Sequence, residues 1–102
     1  MDKDQVIARL REHEAELRAA GVQTLSLFGS VARGEATDRS DIDVVVRLDH
    51  DLTGRGFDYF GSLARLKEKL EKITGKSVDI VPEPIQKPRL ANEIARDRQL
   101  AF

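Results

Sequence analysis

The 102-residue chain contains no cysteine and no tryptophan. Without thiols it has neither a disulfide framework nor a thiolate zinc site, a composition that suits a reducing cytosol. Histidine is scarce too: His13 falls on the polar side of a helical pattern and His50 in a loop, and neither is placed for general-base work. There is no charge excess, 17 Lys and Arg standing against 18 Asp and Glu. That balance gives no electrostatic footprint for non-specific nucleic-acid binding, so a long polyanion is not the expected direct partner. No apolar run reaches the roughly 18 residues of a membrane span, and the charged start MDKDQVIARLREHEAELRAAG does not read as a signal peptide. Together these absences predict a cytoplasmic protein with no membrane partner. The length predicts a single domain, 1–102, with room for one two-layer core.

What is present is organised by clear periodicities. Residues 2 to 20 carry Val6, Ile7, Leu10 and Leu17 at helical spacing behind Asp2 and Gln5, which stand at capping-box distance; Gly21 is the stop. Val22 to Phe28 is a short apolar strand, followed by Gly29-Ser30 and a helical turn through Val31, Ala32 and Arg33. GEATDRS is a polar loop. The stretch DIDVVVRL, Asp41 to Leu48, reads as a second strand with Asp41, Asp43, Val45 and Arg47 on one face. Asp49 to Asp58 has no period and two glycines, and is expected to be a mobile loop. Tyr59 to Thr74 is an amphipathic helix ended by Gly75, and SVDIVP, Ser77 to Pro82, is a third strand. Pro82, Pro84 and Pro88 form a rigid connector, after which RLANEIARDRQLAF reads as a terminal helix with Leu90 and Ile94 facing inward. This order predicts an α+β fold: a small mixed β-sheet with helices packed on one side.

The chemistry concentrates in the middle. Residues i and i+2 on a strand project from the same face roughly 6.6 Å apart, so Asp41 and Asp43 can reach one cation or share two. Like charges that close repel unless magnesium or an arginine neutralises them; alone, the pair also reads as two solvated residues at a strand end. Asp79 interrupts the third strand between Val78 and Ile80, where a carboxylate needs pairing or water. If the third strand lies beside the second, Asp79 completes a three-carboxylate cluster suited to two-metal phosphoryl transfer. Gly29-Ser30 after a strand permits close backbone approach to a phosphate. Arg33 and Arg39 each offer a planar donor fork to a triphosphate or a partner for an aspartate.

GSVARGEATDRSDIDVVV resembles the nucleotidyltransferase signature GSxARGxxxxxSDxDxxV of the DNA polymerase β-like superfamily. Gly29, Ser30, Ala32, Arg33, Gly34, Ser40, Asp41, Asp43 and Val46 all match it. The short chain is similar to the minimal nucleotidyltransferases, MntA-like antitoxins paired with HEPN-domain toxins. The resemblance implies a nucleotidyltransferase fold and transfer of AMP from ATP to a hydroxyl, a tyrosine, of a partner toxin held in an oligomer with it. It also implies roles: Asp41 and Asp43 bind two Mg2+ ions and the triphosphate, Asp79 helps one metal activate the attacking hydroxyl, and Gly29, Ser30, Arg33 and Ser40 bind the nucleotide. Larger relatives carry a second domain, so the short chain implies that a partner completes the site. Two alternatives remain: an antitoxin that acts by occlusion without essential catalysis, and transfer to a small molecule or an RNA end.

Overall fold

Asp2 opens the first helix as its spacing predicts. Its carboxylate accepts from the Gln5 N–H at 2.9 Å while the Gln5 side chain accepts from the Asp2 N–H at 3.0 Å, a reciprocal cap for helix α1, Lys3–Glu12. The computed structural model describes residues 2–49 and 59–102; of the loop expected over Asp49 to Asp58, all but Asp49 lies outside the described residues, His50 included. The helix expected over 2–20 is divided at His13, whose backbone (φ −106°, ψ 15°) sends its N–H to the Leu10 carbonyl, and resumes as α2, Glu14–Ala19. Val6, Leu10 and Leu17 are all buried across the break. Because the apolar period continues through it, the pattern concealed the kink.

The remaining elements among the described residues are β1 (Val22–Phe28), α3 (Gly29–Arg33), β2 (Ile42–Leu48), α4 (Tyr59–Thr74), β3 (Val78–Pro82), α5 (Pro88–Asp97) and β4 (Gln99–Leu100). The strands form one mixed sheet in the order β3-β2-β1-β4, in which β1 is antiparallel to β2 and β4, and β2 is parallel to β3. A parallel neighbour requires a crossover of a dozen or more residues, and the segment holding α4 supplies it.

Register decides what each face carries. Leu25, Leu27, Ile42, Val44, Val46 and Val78 share one face and pack with α1, α2 and α4 in the main core, where Leu66, Leu70 and Ile73 form the buried stripe of α4. Each fully buried aliphatic side chain there contributes about 1.5–3 kcal/mol. The opposite face carries Ser26, Phe28, Asp43, Val45, Asp79 and Val81. The fold class is the expected one, and α5 adds cover on this second face: Ile94 packs with Phe28 and Val45, joined by Leu90, Val81 and Ile85. Arg98, directly after α5, anchors it by donating to the buried Ser26 hydroxyl at 3.1 Å and to Glu83 at 2.6 Å.

The terminal segment corrects the sequence reading. The helix does not run to the end but stops at Asp97, and β4 returns along the free edge of β1, Ala101 donating to the Leu25 carbonyl at 2.8 Å and Leu25 donating to the Phe102 carbonyl at 3.0 Å. Unpaired edge groups of β1 gain partners this way, a tertiary demand that no glycine or proline after Asp97 announces. At the chain's end Leu100 is exposed and Phe102 half-buried beneath the Arg18 guanidinium, 5.0 Å from the ring centroid.

Candidate active site

The site forms where β1 hands over to α3. Gly29 follows Phe28 at φ +74°, in the left-handed region open to glycine, and is buried. A β-carbon there would collide with the Asp43 carboxylate oxygen Oδ2 and stand 3.2 Å from its Cγ. The glycine is thus required twice, by backbone conformation and by the carboxylate packed against it.

Asp43 is opposite Phe28 on one side and opposite Asp79 on the other, in register on adjacent strands. The placement of β3 beside β2 is the condition the sequence set for an acidic cluster, and it is met. Asp41 sits one residue outside β2 rather than within it, because the strand begins at Ile42, and it is exposed. Partial burial holds the Asp43 carboxyl above the usual carboxylate range. The negative charges of Asp79, Asp41 and Glu93 push the same way, and the positive charge of Arg33 opposes them. None of Asp41, Asp43 and Asp79 makes a side-chain hydrogen bond or ion pair among the described residues, nor does the Ser30 hydroxyl.

This donor set suits a hard divalent cation: unpaired carboxylate oxygens, one of them already strained by its like-charged neighbours, beside a backbone with no side chain in the way. As the side chains stand, no three acidic or imidazole groups among the described residues converge on one point, so tight coordination requires rotation of Asp41 and Asp79, both exposed and held by no side-chain partner among those residues.

The other candidates have structural partners. Arg33 is clamped between Asp97, at 2.7 Å from Nη1, and Glu35, at 3.0 Å from Nε. Ser40 closes the loop before β2, its hydroxyl accepting from the Thr37 N–H at 2.9 Å. Arg39 stays exposed on that loop. Sequence reasoning missed two residues on α5: Glu93, whose charge reaches Asp43, and Asp97, which holds Arg33. A signal for Asp97 existed, since Leu90, Ile94 and Asp97 fall on one helical stripe; an aspartate on a buried stripe calls for a cation. A cavity of about 540 Å³ between the first two helices and α4 is lined by residues such as Arg9, Glu16, Lys69 and Lys72. It shares no residue with the acidic site, and the chemistry of the carboxylates, not cavity size, locates the candidate centre.

Residues 7–101 match the nucleotidyltransferase domain family. The chain belongs to the nucleotidyltransferase family. A nucleotidyltransferase relative, the protein adenylyltransferase MntA of Thermococcus cleftensis, is 33% identical over 98 residues, covering 92% of this chain and 90% of its own. A solved structure of a minimal nucleotidyltransferase is 39% identical, covering 97% of this chain and 95% of that one, with a TM-score of 0.72. The nucleotidyltransferase fold also recurs at 21% identity and a TM-score of 0.59 in a tri-AMPylated Shewanella oneidensis HEPN toxin in complex with MNT antitoxin, over 91% of this chain and 70% of that one. As a nucleotidyltransferase the chain moves a nucleotidyl group, and the acidic face of β2 and β3 is its candidate site.

Proposed function

We propose that this nucleotidyltransferase is the antitoxin of a toxin–antitoxin pair, transferring AMP from ATP to a tyrosine hydroxyl of a HEPN-domain toxin with which it associates in the cytoplasm. The observation that carries the proposal is the pairing of Asp43 with Asp79 in register, under Gly29 and beside Asp41, with no cation among the described residues committed to any of the three carboxylates. The names of the relatives, a protein adenylyltransferase and an AMPylated toxin bound to its antitoxin, support the acceptor class.

Asp41, Asp43 and Asp79 are the residues to hold magnesium, two ions in this reading. When bound, such ions neutralise the triphosphate and favour ionisation of the acceptor hydroxyl. The chain itself positions. Gly29 leaves room for a phosphate against the backbone, Ser30 offers a hydroxyl without a partner among the described residues, and Arg33 supplies a cation near the carboxylates. Ser40 acts at one remove by shaping the loop that delivers Asp41. In the transfer, the acceptor oxygen bonds to the α-phosphorus as the bond to the β-phosphate oxygen breaks; pyrophosphate leaves and the hydroxyl proton passes to solvent. Such a displacement needs positioning and charge neutralisation more than a dedicated side-chain base.

The test is incubation with magnesium and α-labelled ATP, with and without the product of the neighbouring gene, beside the Asp41→Asn/Asp43→Asn double variant. Label moving to a tyrosine of the partner only with intact aspartates is the expected result. A partner that is bound and inhibited equally well by the double variant, with no label transferred, would replace this reading with occlusion.

A further inference from the structure

Asp97 has a side chain only 4% exposed, and a buried carboxylate persists only where cations meet it. Two do: Arg33 donates from Nη1 at 2.7 Å, and Arg96 donates from Nε at 3.0 Å. The two guanidinia differ in setting. Arg96 is 70% exposed at the end of α5, whereas Arg33 is 33% exposed and lies one helical turn after Gly29, the residue packed on Asp43. Glu35 takes the Nε hydrogen of Arg33 at 3.0 Å. The guanidinium is therefore held at two of its nitrogens, while Nη2 donates to no described residue. A fork fixed on two nitrogens with the third free is a preorganised donor for a phosphate oxygen.

Resting on the adenylyltransferase reading above, we propose that Asp97 is a positioning residue for nucleotide binding: from α5 it fixes Arg33 so that the free Nη2 meets the triphosphate beside Asp43. Asp97 touches no substrate; it acts through Arg33. The terminal helix thereby takes part in nucleotide recognition, a task the sequence motif assigns wholly to residues 29–46.

The measurement is equilibrium binding of a fluorescent ATP analogue with magnesium to the full chain, with kcat and KM for ATP on the acceptor and a Tm for each variant. Asp97→Asn is expected to weaken nucleotide binding about tenfold, the scale of a lost charge-assisted hydrogen bond, through KM with kcat within about twofold. Arg33→Lys, at a partly exposed helix end, keeps the charge and loses the fork; it is expected to weaken binding by a similar factor even if Asp97→Asn fails to fold. Adding Asp97→Asn to Arg33→Lys should cause no further loss. Wild-type affinity in Arg33→Lys, wild-type affinity in a folded Asp97→Asn with only its Tm changed, or two losses that multiply would each overturn the proposal. A wild-type chain that binds no magnesium–ATP would instead overturn the adenylyltransferase reading on which it rests.

Discussion

Asp43 is held in a conformation that costs stability. Its carboxyl is partly buried and faces Asp79, Asp41 and Glu93, so its folded pKa is raised, and the folded state disfavours the charge that a metal would use. The sign follows from linkage: a carboxylate with a raised folded pKa destabilises fully above that value, and the cost fades as pH falls through the folded pKa toward the ordinary value of about 4. Asp43→Asn is therefore expected to abolish transfer and yet raise the Tm of the protein in EDTA at pH 7. The Tm gap between variant and wild type should narrow as pH is lowered through the acid range. A variant that melts below wild type at neutral pH would contradict this account of the site. Gly29→Ala meets the opposite fate. A non-glycine residue at φ +74° costs about 1–2 kcal/mol, and its β-carbon collides with Asp43, so stability and nucleotide binding should fall together in thermal melts and titration.

Among the elements, α4 and β4 show two ways of holding the sheet. Leu70 is fully exposed to the core and not to water, packed with Leu66 and Ile73 against the apolar face of β1, β2 and β3. Leu70→Ala should cost about 2–5 kcal/mol, and a domain of this size loses about 4–8 °C of Tm per kcal/mol. At the end of β4, neighbours should have opposite outcomes: Leu100, its last residue, is 57% exposed, while Ala101 directly after it is fully buried. Ala101→Asp is expected to unfold or strongly destabilise the chain, and Leu100→Asp to shift its Tm by no more than a degree or two, both read by circular dichroism. The helices with strong apolar periods were legible in the sequence because a stripe at 3.6-residue spacing has few other uses. The break at His13 and the strand after Asp97 were not, because an intact period hid the first, and the second answers an edge of β1 that lies more than seventy residues earlier.

For the molecule as a whole, ligand linkage gives the broadest test. A ligand that binds only the folded state stabilises by about 2.7 kcal/mol at a hundredfold excess over its Kd, so magnesium–ATP should raise the Tm of wild type, and the Asp41→Asn/Asp43→Asn variant should show no such rise. The motif from Gly29 to Val46 was readable because its residue types are dictated by local chemistry: a glycine where backbone must approach a carboxylate, and acids at alternate positions leading into a strand. Sequence alone therefore determined the α+β class, the identity of Asp41, Asp43 and Asp79 as candidates and the turn before them. Only the tertiary structure decided that β3 runs parallel beside β2, which sets Asp79 level with Asp43, and that α5 crosses the acidic face to bring Glu93 and Asp97 to residues some fifty to sixty positions away. The division has a physical cause. Local pattern encodes which side of an element is apolar, whereas the meeting of distant carboxylates and guanidinia depends on strand order and helix placement, which the packing of the whole chain selects.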